Sequence, residues 1–136
     1  MTPNPSPPAT SKAMLWTGRV ISAVPVLMMG GIGTFMLFAA PAKVAEGMTK
    51  FGYPAGVGKP LLVIEIICAL LYAIPQTAVL GAILLTGYLG GAVATHVRAG
   101  ESFVFPILFG VLVWLGLFLR DSRVRAIVPL RSASSF

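Results

Sequence analysis

Charge is what this chain of 136 residues has least of. Only 10% of its residues are Asp, Glu, Lys or Arg, against roughly 25% in soluble domains. Apolar residues make up 57%. A water-soluble fold of this length cannot hide so much apolar surface, so the balance excludes an ordinary soluble domain and makes lipid the solvent. Cysteine is nearly absent. Cys68 stands alone, which excludes an internal disulfide and any Cys-based metal site built by one chain. Acids are few as well: four against ten Lys and Arg, for a formal net charge of +6. The bases do not gather. Lys12, Arg19, Lys43, Lys50, Lys59, Arg98, Arg120, Arg123, Arg125 and Arg131 sit between and beyond the apolar runs. A nucleic-acid surface needs basic side chains collected on one solvated face, so no nucleic-acid partner is expected. Bases at the ends of apolar runs fit membrane topology and contact with anionic lipid instead.

The apolar runs themselves are what the chain does have. Residues 1–15 carry Pro3, Pro5, Pro7 and Pro8 among small polar residues and read as a disordered tail. Residues 20–40 contain no charge and as a helix would be about 31 Å long, enough for the hydrocarbon core. Pro25 predicts a mild kink there, and "MMGGIG" (residues 28–33) a flexible, closely packable middle. A cleaved signal peptide fits poorly, because the run exceeds the usual apolar region and Pro41 sits badly in the cleavage-like Ala40-Pro41-Ala42. In "AKVAEGMTKF", Val44, Met48 and Phe51 share a helical face, predicting a short helix lying in the interface. "FGYPAGVGKP" then breaks regular structure. Residues 61–74 form a second, shorter run of about 21 Å, with Pro60 suited to the first helical turn. A single helix over residues 61–97 would be about 55 Å, too long for a bilayer. Ile74-Pro75-Gln76-Thr77 is therefore a tight hairpin between spans 61–74 and 78–97. Residues 103–119 form the last span, and residues 121–136 a basic tail.

The expected fold is all-α: a transmembrane four-helix bundle over residues 16–120, with a short interfacial helix between spans one and two. An even number of spans puts both termini on one face. That face carries six Lys and Arg and the loop face four, which places both termini in the cytoplasm.

Glu65 is the exception inside "LLVIEIICALLYAI". An ionised acid deep in a membrane helix costs about 2.5–3.5 kcal/mol on insertion scales. It escapes that cost by protonation, by pairing with a base, or by accepting hydrogen bonds from hydroxyls or free amides. In the expected topology His96, Lys59 and Arg98 end on the same membrane side, so they are the candidate partners. Glu65 reads equally as interhelical glue and as a proton or ligand site. Tyr88 and His96 lie two turns apart on the third span and join it as candidates. One His and one Glu are too few for a metal site, and none is expected. Cys68 and Tyr72 share the helical face of Glu65; Cys68 reads as inert packing and Tyr72 as an interfacial aromatic near the hairpin. Gly87, Gly91 and Thr95, broadened by Gly90, form a small-residue face for close helix packing, within the chain or between copies in a homo-oligomer.

Taken together, the "KFGYPA" turn, the lone Glu65, "AIPQTAVLGAILLTGYLGGAVATH" and the "RAGE" turn resemble the DoxX-like family of small four-helix bacterial membrane proteins. The resemblance covers residues 16–119. It implies a membrane bundle whose better-known relatives look like membrane subunits of oxidoreductase systems linked to quinones or thiol redox balance. The positions it carries over are Glu65, Gly91, Ala92 and His96. The chain has no CxxC, haem or flavin motif, so no intrinsic cofactor is expected. The leading functional expectation is an accessory, quinone-interacting subunit working with an oxidoreductase partner. A small proton-coupled transporter and a purely structural or assembly protein are the alternatives.

Overall fold

The computed structural model describes residues 9–128, and every regular element among them is helical. The Ser11 side chain accepts from the Met14 amide at 3.2 Å and so caps the first helix, α1 (Lys12–Pro25). That start lies inside the expected tail: the Ser11 cap and the packing of α1 on the last span order residues from Lys12 onward. Residues 1–8 of that tail lie outside the described residues.

Pro25 has no amide proton, and its ring crowds the carbonyl one turn back. Just after it the helix widens into a seven-residue π segment, Val26–Ile32, before resuming as α2 (Gly33–Ala39). Thr34 Oγ1 donates to the Gly30 carbonyl at 2.7 Å within this stretch. The expected mild kink is thus a change of hydrogen-bond register. α3 (Pro41–Lys50) begins with Pro41 in its first turn. Gly52 then adopts φ +79°, a left-handed conformation that favours glycine.

A 3₁₀ turn at Ala55–Val57 leads into α4 (Gly58–Ala73), longer at its start than the run of residues 61–74 indicated. Thr77 Oγ1 donates to the Leu71 carbonyl at 2.7 Å and closes the hairpin to α5 (Ala78–Ala99). Gly81 makes that hairpin possible, since a Cβ there would collide with the Tyr72 backbone. Gly100 at φ +70° ends α5, with the Glu101 amide donating to the His96 carbonyl at 2.9 Å. α6 (Val104–Arg120) follows. Then comes α7 (Ser122–Ile127), where a basic tail was expected. Asp121 accepts from the Arg123 amide at 2.9 Å, and Val124 is buried, so burial orders this stretch. Residues 129–136 lie outside the described residues.

The first span packs on α4 and, through α1, on α6; α4 packs on α5 and α5 on α6, closing a ring. The helices touch most tightly at the end that holds the α4–α5 hairpin. There Gly18 and Gly116 let α1 and α6 meet backbone to backbone. Tyr72, Leu85, Val113 and Leu117 fill the centre. Large apolar side chains cover the outside, among them Val20, Leu27, Phe35, Leu70, Ile83 and Val111. A soluble monomer rarely exposes so much. By length and composition, Lys12–Ala39, Ala55–Ala73 and Ala78–Ala99 are each able to cross a membrane, and Val104–Arg120 is a shorter apolar helix.

Candidate functional site

α1 lies against α6, but beyond Pro25 the first span leaves it: α2 touches α3 and α4 and makes no contact with α6. The gap between them opens into a cavity of about 540 Å3. Met28, Met29 and Ile32 of the π segment form one wall, and Phe105, Pro106 and Phe109 of α6 another. α4 contributes Leu61 and Glu65, and α5 contributes Gly87, Tyr88, Ala92, Thr95 and His96. Met48, Phe51 and Tyr53 close the loop end. The helix expected merely to lie in the interface therefore also caps this cavity.

Within it, the Tyr88 hydroxyl donates to Glu65 Oε2 at 2.7 Å. None of the candidate bases is hydrogen-bonded to Glu65. His96 Nδ1 lies 2.7 Å from the Ala92 carbonyl, and its ring packs on Phe51 at 4.9 Å. A carbonyl only accepts, so Nδ1 carries the proton, and Nε2 of the neutral ring is an acceptor. Lys59 is exposed and lines no part of the cavity. Arg98 is exposed too; it donates to the Phe51 carbonyl at 3.1 Å and lies 5.1 Å over the Tyr53 ring. The structure thus gathers Glu65, Tyr88 and His96 on one cavity and leaves Lys59 and Arg98 outside it. Sharing a membrane side does not make side chains meet, because helix rotation aims each of them.

The expected glycine face is not used for packing within the described part of the chain. Among the described residues nothing lies within 4 Å of a Cβ built at Gly87, Gly90 or Gly91. Gly87 and Gly91 make cavity space, and Gly90 faces a separate groove beside α6. Close packing inside the chain falls instead to Gly18, Gly58, Gly81 and Gly116. Thr95 is hydrogen-bonded at 2.8 Å to Tyr53, a residue that sequence reasoning passed over although it sits in the "KFGYPA" turn.

The cap is tied down from outside by an ion pair, Lys50 Nζ to Glu101 Oε1 at 2.8 Å. The hydrogen bond and then the charge of Lys50 hold the Glu101 carboxyl below its ordinary value. The same two effects hold the Lys50 ammonium above its own.

Tyr72 is no interfacial aromatic. It is 0% exposed. Its hydroxyl donates to the Val113 carbonyl at 2.7 Å and accepts from Ser22 Oγ at 2.9 Å. Its carbonyl accepts from Arg120 Nη2 at 3.0 Å. Ser22, one of two hydroxyl residues in the apolar run 20–40, was the available signal for this contact. Cys68 is buried in the same core. Among the described residues no three His, Cys, Asp or Glu side chains gather as a metal site would require.

No curated protein and no solved structure matches the chain. A family model does: that of the DoxX-like family, over residues 20–116. The match runs through the π segment, α4 with Glu65, and α5 with Tyr88 and His96, and with most of its length so covered this chain is a membrane protein of the DoxX-like family.

Proposed function

We propose that the protein is a four-span subunit of a bacterial inner membrane that holds a quinone headgroup beside Glu65 and Tyr88 and serves a partner oxidoreductase. In this reading α6, though short, is the fourth span, α3 lies at the non-cytoplasmic surface, and both termini are cytoplasmic.

One observation carries the ligand assignment. The Glu65–Tyr88 pair lies in a largely apolar cavity whose rim residues are exposed on the outer wall of the bundle: Met28 at 46%, Ile32 at 44% and Phe105 at 67%. The opening between the first span and α6 therefore faces lipid, and a lipid-dissolved ligand reaches the pair without crossing water. Among the described residues no Lys or Arg lines the cavity, which disfavours an anionic ligand. A quinone carbonyl needs a hydrogen-bond donor, and a protonated Glu65 supplies one while it still accepts from Tyr88. Reduction to the quinol takes up two electrons and two protons. Glu65 and His96 are placed to pass protons. The electrons come from a cofactor on the partner, since the chain has no motif for one.

The test is titration of the purified protein in nanodiscs with a short-tailed quinone, followed by tryptophan fluorescence. Saturable binding is expected, weakened roughly tenfold by Tyr88→Phe and by Glu65→Leu. Absence of saturable binding rejects the assignment. The cavity's single carboxyl also suits a proton-coupled transporter. That reading requires substrate flux in proteoliposomes, abolished by Glu65→Gln.

A further inference from the structure

At the end of the bundle away from Glu65, α1 and the last turns of α4 and α6 enclose a recess of about 180 Å3. A water molecule's share of liquid volume is about 30 Å3, so the recess has room for an oxyanion. Among the described residues two arginines line it, Arg19 and Arg120, and no acid does.

Arg120 is only partly accounted for by the protein. Its Nη2 donates to the Tyr72 carbonyl at 3.0 Å, and its guanidinium lies 4.9 Å over the Tyr72 ring. Its Nε is sealed from solvent and has no hydrogen-bond partner. A buried donor without an acceptor is costly. Arg19 lies 5.4 Å over the Trp16 ring and makes no hydrogen bond or ion pair among the described residues. The acids that the chain does possess are engaged or remote. Asp121 binds Arg123, Glu101 binds Lys50, Glu65 accepts from Tyr88, and Glu46 lies on α3 at the other end. Two guanidinium groups thus share one recess, and no anion among the described residues meets them there.

We infer that this recess binds a phosphate group, with the guanidinium groups of Arg19 and Arg120 donating to its oxygens. Planar guanidinium forks match phosphate oxygens, and pairing with an anion makes those hydrogen bonds strong. The recess lies where the spans end and lipid headgroups begin. Trp16 and Val20 are exposed beside Arg19 and offer an apolar wall to an acyl chain. The phosphate can be that of an anionic phospholipid headgroup or a free phosphate; the chemistry at the arginines is the same.

The experiment uses the full chain, delipidated in mild detergent, and has two arms. In the first, native mass spectrometry measures retention of phosphatidylglycerol against phosphatidylcholine. In the second, thermal unfolding is followed with inorganic phosphate against chloride at equal ionic strength. Arg19→Gln is the main variant, because Arg19 holds no other element in place. Arg120→Gln also removes the contact to Tyr72, so it is read only where it folds. Arg123→Gln, at the same end but bound to Asp121, is the control. A headgroup site predicts one phosphatidylglycerol retained over phosphatidylcholine, about tenfold less in Arg19→Gln and unchanged in Arg123→Gln. A free-phosphate site predicts stabilisation by inorganic phosphate alone, lost in Arg19→Gln. Equal retention of both lipids with no response to phosphate overturns the proposal. So does an equal loss in Arg19→Gln and Arg123→Gln, which would mean diffuse attraction to basic residues.

Discussion

Glu65 and Tyr88 satisfy each other inside a helix pair, and the physics of that bond separates chemistry from glue. Glu65→Gln keeps a carbonyl oxygen to accept from Tyr88, so the fold should survive. Glu65→Leu leaves the half-buried Tyr88 hydroxyl without its acceptor, a loss of about 1–3 kcal/mol. Removing both polar groups together is far cheaper than removing one. The double variant Glu65→Leu/Tyr88→Phe should therefore be more stable than Glu65→Leu alone, as thermal unfolding in detergent would show. Additive losses would mean that the 2.7 Å contact contributes nothing. If Glu65→Gln is as stable as the parent yet inactive, the carboxyl carries protons and is not only glue. The odd placement of Glu65 was visible in the sequence, since an acid in an uncharged run needs a partner. The identity of the partner was not. Tyr88 is 23 positions away on the next helix, and only the rotation of both helices brings the two together. Lys59 and Arg98 looked equally suitable by membrane side, and that rotation excludes them.

Helices carry the next set of distinctions. Gly91 looked like a packing glycine on α5, because small residues at helical spacing are a packing pattern in sequence, and Gly81 stood outside that pattern. The structure separates them. A Cβ at Gly81 would strike the Tyr72 backbone, whereas one at Gly91 meets nothing within 4 Å. Gly81→Ala should cost at least about 1–3 kcal/mol through overpacking. Gly91→Ala should leave stability unchanged or raise it by up to ~1 kcal/mol, because Ala is the better helix former. Urea or thermal unfolding of the pair checks this; equal effects would contradict the assignment of Gly91 to the cavity wall. The first span poses the same problem at larger scale. Pro25 announced a disturbance, but not that seven residues after it would change register and part the span from α6. Pro25→Ala restores an amide donor and should favour an unbroken α-helix. Spin labels at Ile32 and Phe105, in a Cys68→Ala background, should then lie closer together than in the parent. An unchanged distance would mean that the glycines, and not Pro25, set the divergence. The hairpin at Ile74–Thr77 was legible because length alone forces it, whereas register and divergence depend on contacts between helices that no run of residues spells out.

The molecule as a whole is tight at one end and open at the other, and the open end is held shut by a cap outside the apolar core. Residues 50–53 reach residues 95–101 through four kinds of contact. Lys50 pairs with Glu101, Arg98 holds the Phe51 carbonyl and the Tyr53 ring, Tyr53 bonds Thr95, and Phe51 packs on His96. Gly100 contributes by turning the chain so that Glu101 follows at once. The ion pair gives this cap a pH window. Folding lowers the Glu101 pKa, so its contribution is present above the ordinary value of 4.5 and is lost as pH falls through the depressed one. Folding raises the Lys50 pKa, so its contribution is present below the ordinary value of 10.5 and is lost as pH rises through the raised one. The latch should therefore be intact from about pH 4.5 to about pH 10.5 and loosen outside that window. Both groups are solvent-exposed, so molar salt should loosen it at neutral pH too. Hydrogen exchange over residues 50–57, corrected for intrinsic rate, is the measurement. It should speed up in Glu101→Gln at pH 7, and that variant should lose the acid response. Arg98→Ala should speed it further, because Arg98 holds two parts of the cap while Glu101 holds one. An acid response that persists in Glu101→Gln would place the titrating group elsewhere.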